Sequence, residues 1–171
     1  MKLILSLVLI TSLFFLAFTP NDQQQKPYAC IPCGYDCDKE QFDKPGTCPH
    51  CKMELVLRSE IKFKTITPDK ICAYIKSHPA TILLDVRTKE EFEGKAEPNF
   101  GTLKNAINIP VQELEKRIGE LNKYRKSDIL VFCSHSHRSP RASFLLGKHG
   151  FGKVTNMSGG MSVLNDRSCV K

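Results

Sequence analysis

A cysteine, Cys133, ends the apolar run Ile129-Leu-Val-Phe132 and is followed by Ser134, His135, Ser136 and His137 before Arg138 and Ser139. Four apolar residues with β-branched and aromatic members suit a strand covered on both faces. Ser139-Pro140 then reads as a helix start, with serine as N-cap and proline at the first helical position. A loop squeezed between a strand end and a helix N-terminus turns backbone N–H groups toward its contents, which makes an anion site and favours a thiolate. The nearby charges act the same way: from Ile129 through Asn165 there is no Asp or Glu, whereas Arg138, Arg141, Lys148 and Lys153 fall in that span. The expected chemistry is therefore nucleophilic. Cys133 attacks, and the loop from Ser134 to Ser139, Arg138 foremost, holds an anionic reactant. A buried structural cysteine at a strand end is the competing reading, and the loop after Cys133 weighs against it.

A second concentration of chemistry lies upstream. Five of the eight cysteines fall between residues 30 and 51, as Cys30-Ile-Pro-Cys33, Cys37 and Cys48-Pro-His-Cys51. Two Cys-x2-Cys pairs separated by fourteen residues match the two knuckles of a zinc ribbon. Cys30, Cys33, Cys48 and Cys51 are the expected ligands of zinc or another thiophilic metal ion, with Cys37 and His50 as spare candidates. Disulfides in an oxidising compartment are the alternative, which strands one of the five cysteines.

The elements that must position these groups follow from the remaining pattern. Ile61 to Thr67 alternates as a strand, Thr67-Pro68 starts a helix that His78-Pro79 ends, and Thr81 to Val86 is a second strong strand. That strand delivers Asp85 and Arg87 to its C-terminal end, the ligand edge of a parallel sheet, as supports for the loop; a mutual ion pair is favoured over direct catalysis. Ala106 to Ile109 is a third strand. Pro110 opens a helix with Val111, Leu114, Ile118 and Leu121 on one face, and Lys153 to Asn156 is a last strand. The rhythm predicts an α/β fold, an open parallel sheet of about five strands flanked by helices, behind a small Cys-rich zinc-ribbon-like module. Cys72, alone on its helix, reads as packing; Cys169 reads as a free thiol or a partner for Cys133 under oxidation.

Length and charge bound the rest. Met1-Lys2 followed by the apolar Leu3 to Phe18 reads as an export signal over residues 1–19, with a linker at 20–27, the module at 28–57, the main domain at 61–165 and a polar tail at 166–171. The expectation is an exported, periplasmic protein, with tethering by an uncleaved signal as the alternative and no membrane contact after its removal. Net charge is +7, but there is no arginine-rich tract and no aromatic-basic alternation, which argues against nucleic acid as a partner.

Tyr28-Ala-Cys30, Lys44-Pro-Gly-Thr-Cys-Pro-His-Cys51 and Met53-Glu-Leu55 resemble the heavy-metal-binding module of bacterial metal-handling proteins. That family usually carries Cys-Pro-Met-His at its first knuckle, where Ile31-Pro32-Cys33-Gly34 stands here. The main domain resembles a rhodanese. The matching residues are Leu84-Asp85-Val86-Arg87 with Glu91-Phe92, Gly101 through Pro110, Val131-Phe-Cys133 with Arg138-Ser139, Gly150-Phe151 and Gly159-Gly160. This resemblance implies transfer of sulfane sulfur through a Cys133 persulfide, from a small anionic donor such as thiosulfate to a nucleophilic acceptor, cyanide or a thiol, with no cofactor for that step. It also implies a distinction by loop length. Cys-x4-Arg marks the sulfurtransferases, while the related phosphatases and arsenate reductases carry one residue more. Ser136 stands where the family often has glycine, as does Asn105, and Thr102 replaces a common histidine. The competing function is a non-catalytic metal-handling or redox partner in which the Cys-rich module acts and the main domain presents a surface.

Overall fold

The computed structural model describes residues 27–171, so the expected export signal, and the linker up to residue 26, lie outside the described residues. Two sheets are present. Strands β1 (Tyr28–Cys30), β2 (Gly46–Thr47) and β3 (Glu54–Leu57) form a small antiparallel sheet in the order β1-β3-β2. The main sheet contains β4 (Lys64–Ile66), β5 (Ile82–Asp85), β6 (Ile107–Asn108), β7 (Ile129–Phe132) and β8 (Val154–Met157), in the order β4-β8-β7-β5-β6 with every pairing parallel. The strand that ends at Cys133 is thus the central one.

Alternation along β7 sorts its side chains between two apolar layers. Ile129 and Val131 pack with Leu84, Leu114, Ala142 and Leu146, while Leu130 and Phe132 pack with Ile71, Leu83, Met157 and Met161. All four residues of β7 are buried, and burying such a side chain contributes about 1.5–3 kcal/mol. Helix α1 (Ile71–Ser77) supplies Ile71 to the second layer. Helices α3 (Val111–Arg117) and α4 (Arg138–Lys148) supply the first, after the short α2 (Lys89–Phe92). No helix among the described residues is long and apolar enough to cross a membrane.

Several boundaries depart from the sequence expectation. The first main-domain strand shrinks to Lys64–Ile66 at the sheet edge. The helix after Pro110 tightens into a 3-10 turn over Ile118–Tyr124, where Gly119 weakens α-helical propensity, although Leu114 and Leu121 stay on the core face as expected. Helix α4 begins at Arg138, with His137 at the N-cap, so Ser139 is not the cap. Its hydroxyl is occupied instead by the Cys133 thiol, Sγ to Oγ 3.4 Å.

The cysteine expectation is also corrected. Cys72 and Cys169 are joined in a disulfide that spans 97 residues of sequence, and Cys133 is free. The tail reaches α1 because it is pinned on the way: Leu103 bridges Val170, the Lys104 amide donates to the Cys169 carbonyl at 2.9 Å, and the Lys171 amide donates to Thr102 at 2.9 Å. Residues 166–171 are therefore docked onto the main domain.

Candidate functional site

The parallel register carries β5 and β7 to the same edge, where Asp85 pairs with Phe132. Cys133 follows at the strand end and is fully buried. Beneath it runs the Gly159-Gly160 turn. The Met161 amide donates to the Cys133 carbonyl at 2.8 Å and the Ser162 amide to the Ser134 carbonyl at 3.0 Å. Gly160 has φ +74°, and a Cβ there would lie 2.2 Å from the Ser134 carbonyl oxygen, so only glycine permits the turn to support the loop. Among the described residues the amides of Ser134, His135, Ser136 and His137 find no intramolecular acceptor. They are the donors left over for an anionic ligand.

Ser136 takes the left-handed conformation, φ +68°, that glycine adopts without strain, and Asn105 does the same at φ +63°. Both positions where the chain lacks the family's glycine thus keep a glycine-like backbone, at a cost of about 1–2 kcal/mol for an ordinary side chain. The Ser136 hydroxyl donates to the carbonyl of Cys33 in the Cys-rich module. His135 and His137 are exposed; their rings lie against Phe100, centroids 5.5 Å apart, and Tyr35, 5.8 Å apart.

Arg138 is not an uncompensated cation. Its guanidinium forms a two-pronged pair with Glu91, at 2.5 Å and 2.7 Å, and its Nη2 reaches the Ser134 hydroxyl at 3.2 Å. The Ser134 hydroxyl also contacts Glu91 at 2.8 Å and Glu97 at 2.6 Å. Burial pushes the Glu91 carboxyl up, but Arg138, the Thr88 amide and Ser134 outweigh it and hold the group well below the usual carboxylate range. The same pair raises Arg138. The positive field expected from the acid-free span 129–165 is therefore answered from a distant segment. Thr88-x-x-Glu91 is a capping box, and the structure forms it: the Glu91 amide donates to Thr88 Oγ1 at 3.3 Å and the Thr88 amide to Glu91 Oε2 at 2.9 Å. That box was the sequence signal for a fixed carboxylate here.

Asp85 and Arg87 form a mutual pair, as expected, with both side chains fully buried and Nη2 to Oδ2 2.7 Å. Thr102 donates to the same carboxylate at 2.9 Å, and Arg87 Nη2 donates to the Gly101 carbonyl at 2.8 Å. The pair ties β5 to the 101–102 turn and leaves Cys133 untouched.

In the module, the sulfurs of Cys30, Cys37, Cys48 and Cys51 all lie within 4.8 Å of one another. Four thiolates about 2.3 Å from one zinc ion stand about 3.8 Å apart, so this set fits a tetrahedral thiophilic metal. Cys37 thus occupies the place expected of Cys33. The cause is Asp38, whose carboxylate collects the Cys33 amide at 3.0 Å, the Gly34 amide at 2.7 Å and the Cys33 thiol at 3.4 Å. Cys33 joins only a second group, with Cys30, Cys37 and Asp38. His50 pairs with Glu40 at 3.0 Å instead. Burial pushes Cys30 and Cys33 up and Cys37 up to about 11. At Cys51 burial acts likewise, but hydrogen bonds from Cys30, the Met53 amide, Cys48 and Cys37 win and lower it. A metal would displace protons from this cluster, which makes its affinity pH-dependent.

Comparison with known proteins agrees with both halves. The rhodanese-like domain model matches residues 67–166, and the heavy metal binding domain model matches residues 35–56. The chain is 36% identical over 87 residues to "Putative sulfur carrier protein YrkF" of Bacillus subtilis, covering 51% of this chain and 43% of that protein. It is 35% identical over 98 residues to "Uncharacterized protein YqhL" of the same organism, covering 57% and 68%. The chain thus spans under half the length of YrkF. Among solved structures it is similar to a rhodanese-related protein from Thermoplasma volcanium, with TM-score 0.50, 28% identity, and coverage of 61% of this chain and 93% of that one. A rhodanese-like domain protein from Staphylococcus aureus gives TM-score 0.51, 25% identity, and coverage of 63% and 98%. With the family model covering more than half of its length and the loop, sheet order and Gly-Gly support all in place, the chain belongs to the rhodanese-like family, with a heavy metal binding domain ahead of that domain.

Proposed function

We propose that this protein is an exported sulfurtransferase that moves sulfane sulfur from a small anionic donor to a nucleophilic acceptor through Cys133. One observation carries the reading: a free cysteine at the C-terminal end of the central parallel strand opens a loop whose amides meet no acceptor among the described residues and whose fourth intervening residue is followed by Arg138. With thiosulfate as donor, the Cys133 thiolate attacks the outer sulfur, the S–S bond breaks, and sulfite leaves with the bonding pair. The loop amides hold the developing charge. An acceptor such as cyanide then attacks the terminal sulfur of the persulfide, giving thiocyanate and regenerating the thiolate. Arg138, engaged by Glu91, acts as a positioning residue that sets the loop's shape. The named sulfur carrier among the relatives supports this chemistry. The Cys72–Cys169 disulfide supports export, because such bonds persist in oxidising compartments, as does the signal-like start of the sequence.

Cys30, Cys37, Cys48 and Cys51 would hold zinc or another thiophilic ion, which supplies a cross-link for a module too small to carry a large core. The test of transfer is intact mass after thiosulfate treatment. Wild type is expected to gain one sulfur and Cys133→Ala none, with thiocyanate formed only by wild type. Equal uptake by both proteins would end the reading.

A further inference from the structure

We propose that the turn Cys33-Gly34-Tyr35 of the Cys-rich module is a lid on Cys133, latched by Ser136 and held in its docked shape by the metal site. As a device regulating that thiol, it rests on the reading of Cys133 as the sulfur carrier. The observations are of closure. Cys133 is fully buried and Ser136 is 1% exposed, although both belong to a loop whose chemistry requires a reactant to enter. On one side the loop is fenced by Glu97 against Ser134 and Phe100 against His135. On the other lies the module. The Cys33 carbonyl accepts the Ser136 hydroxyl, and Tyr35 packs on His137. Gly34, at φ +92°, comes so close to the supporting turn that a Cβ on it would lie 2.9 Å from Ser158 Cβ.

The docked turn is bracketed by metal ligands. Cys30 precedes it and Cys37 follows it, and both belong to the four-sulfur set. An ion gripping both ends fixes the conformation of the segment between them. Loss of the ion loosens the segment, because residues 31–35 have no regular secondary structure and the Asp38 carboxylate that collects the Cys33 and Gly34 amides stands next to the ligand Cys37. A cleft of about 410 Å³ on the module, lined by Tyr35, Asp36, Cys37, Glu40, His50 and Cys51, meets the main domain at His137. Ser136 is the latch: it replaces a residue that would provide no hydroxyl, and its strained φ is held by the contact it makes.

The experiment uses the full chain and reads access to the thiol without sulfur transfer. Cys133 alkylation by iodoacetamide is timed by peptide mass spectrometry in zinc-loaded and chelator-treated wild type, Ser136→Gly and Gly34→Ala. Zinc-loaded wild type is expected to label slowly. Ser136→Gly should raise the rate about fivefold, the population change a lost buried hydrogen bond brings, and Gly34→Ala should raise it because the added Cβ meets Ser158. Chelation should raise the wild-type rate and add little in the variants. Hydrogen exchange at the Ile129–Phe132 amides separates lid opening from unfolding, since the central strand stays protected when only the lid lifts. Equal rates in zinc-loaded wild type and variants would overturn the proposal. A rate unmoved by chelation, or a rise accompanied by loss of β7 protection, would do the same. Should Cys133 take up no sulfur yet label faster when the lid is released, the lid stands and the transfer reading falls.

Discussion

Replacing Glu91 with glutamine tests how the loop is held. The side chain keeps its length and one carbonyl oxygen but loses the charge that engages both prongs of Arg138 at 2.5 Å and 2.7 Å. Glu91 is 7% exposed, whereas the Arg138 side chain is 27% exposed. The cost therefore falls below the ~3–5 kcal/mol of breaking a fully buried pair, because water reaches the abandoned guanidinium; about 1–3 kcal/mol is expected. In a chain of this size that lowers Tm by about 4–10 °C. The pH dependence is more specific. Glu91 is held below its ordinary value of 4.5, so its contribution is fully present above the unfolded pKa and is lost as pH falls toward the folded one. The stability difference between wild type and Glu91→Gln should be constant from pH 8 to about pH 5.5 and shrink below about pH 4.5, by at most ~1.4 kcal/mol per pH unit. Urea unfolding at a series of pH values measures it. A difference that stays flat down to pH 3, or that grows with acid, would refute an ionised Glu91 paired with Arg138.

The metal assignment separates two neighbouring cysteines: Cys37→Ala should abolish stoichiometric zinc in the purified protein, while Cys33→Ala should retain it, read by metal analysis and thiol counting. Replacing Cys72 and Cys169 together by serine should cost about 4–5 kcal/mol, given their sequence separation of 97, and calorimetry of the variant against disulfide-intact wild type checks it. Gly160→Ala should abolish persulfide formation even where folding survives, because its Cβ meets the Ser134 carbonyl; intact mass after thiosulfate reads the loss. Asp85→Asn leaves the Arg87 guanidinium buried beside a neutral partner and should destabilise by about 3 kcal/mol or more in urea unfolding.

The centre of the parallel sheet was legible because β5 and β7 are spelled by the apolar runs Ile82–Leu84 and Ile129–Phe132. Ile129–Phe132 needed no tertiary information, since four buried residues in a row have only one placement in an α/β sheet. The Asp85–Arg87 pair was legible for a similar reason, a carboxylate and a guanidinium two residues apart at a strand end. What local pattern could not carry were contacts between distant segments. Cys72 lies in the first turn of α1 and Cys169 in a polar tail, and the Leu103–Val170 bridge with the backbone bonds at Lys104 and Lys171 brings them together. Glu91 reaches Arg138 across 47 residues. The choice of Cys37 over Cys33 turned on Asp38, whose carboxylate competes for the Cys33 amide and thiol. Spacing rules for Cys-x2-Cys knuckles do not include such a competitor.

Ser136 shows why a departure from a family pattern is informative only with its surroundings. In sequence it argues against a relaxed loop, because a serine resists the left-handed conformation that glycine accepts. In the structure it adopts that conformation at φ +68°, and its side chain ends on a carbonyl of another module. A strained residue persists when its surroundings over-determine it. Here the loop below is clamped by the Met161 and Ser162 amides and the side chain above by Cys33. A loop that only needed its φ would be better served by glycine. The hydroxyl therefore serves the contact with the module, and its replacement by glycine should relax the loop while releasing what covers it.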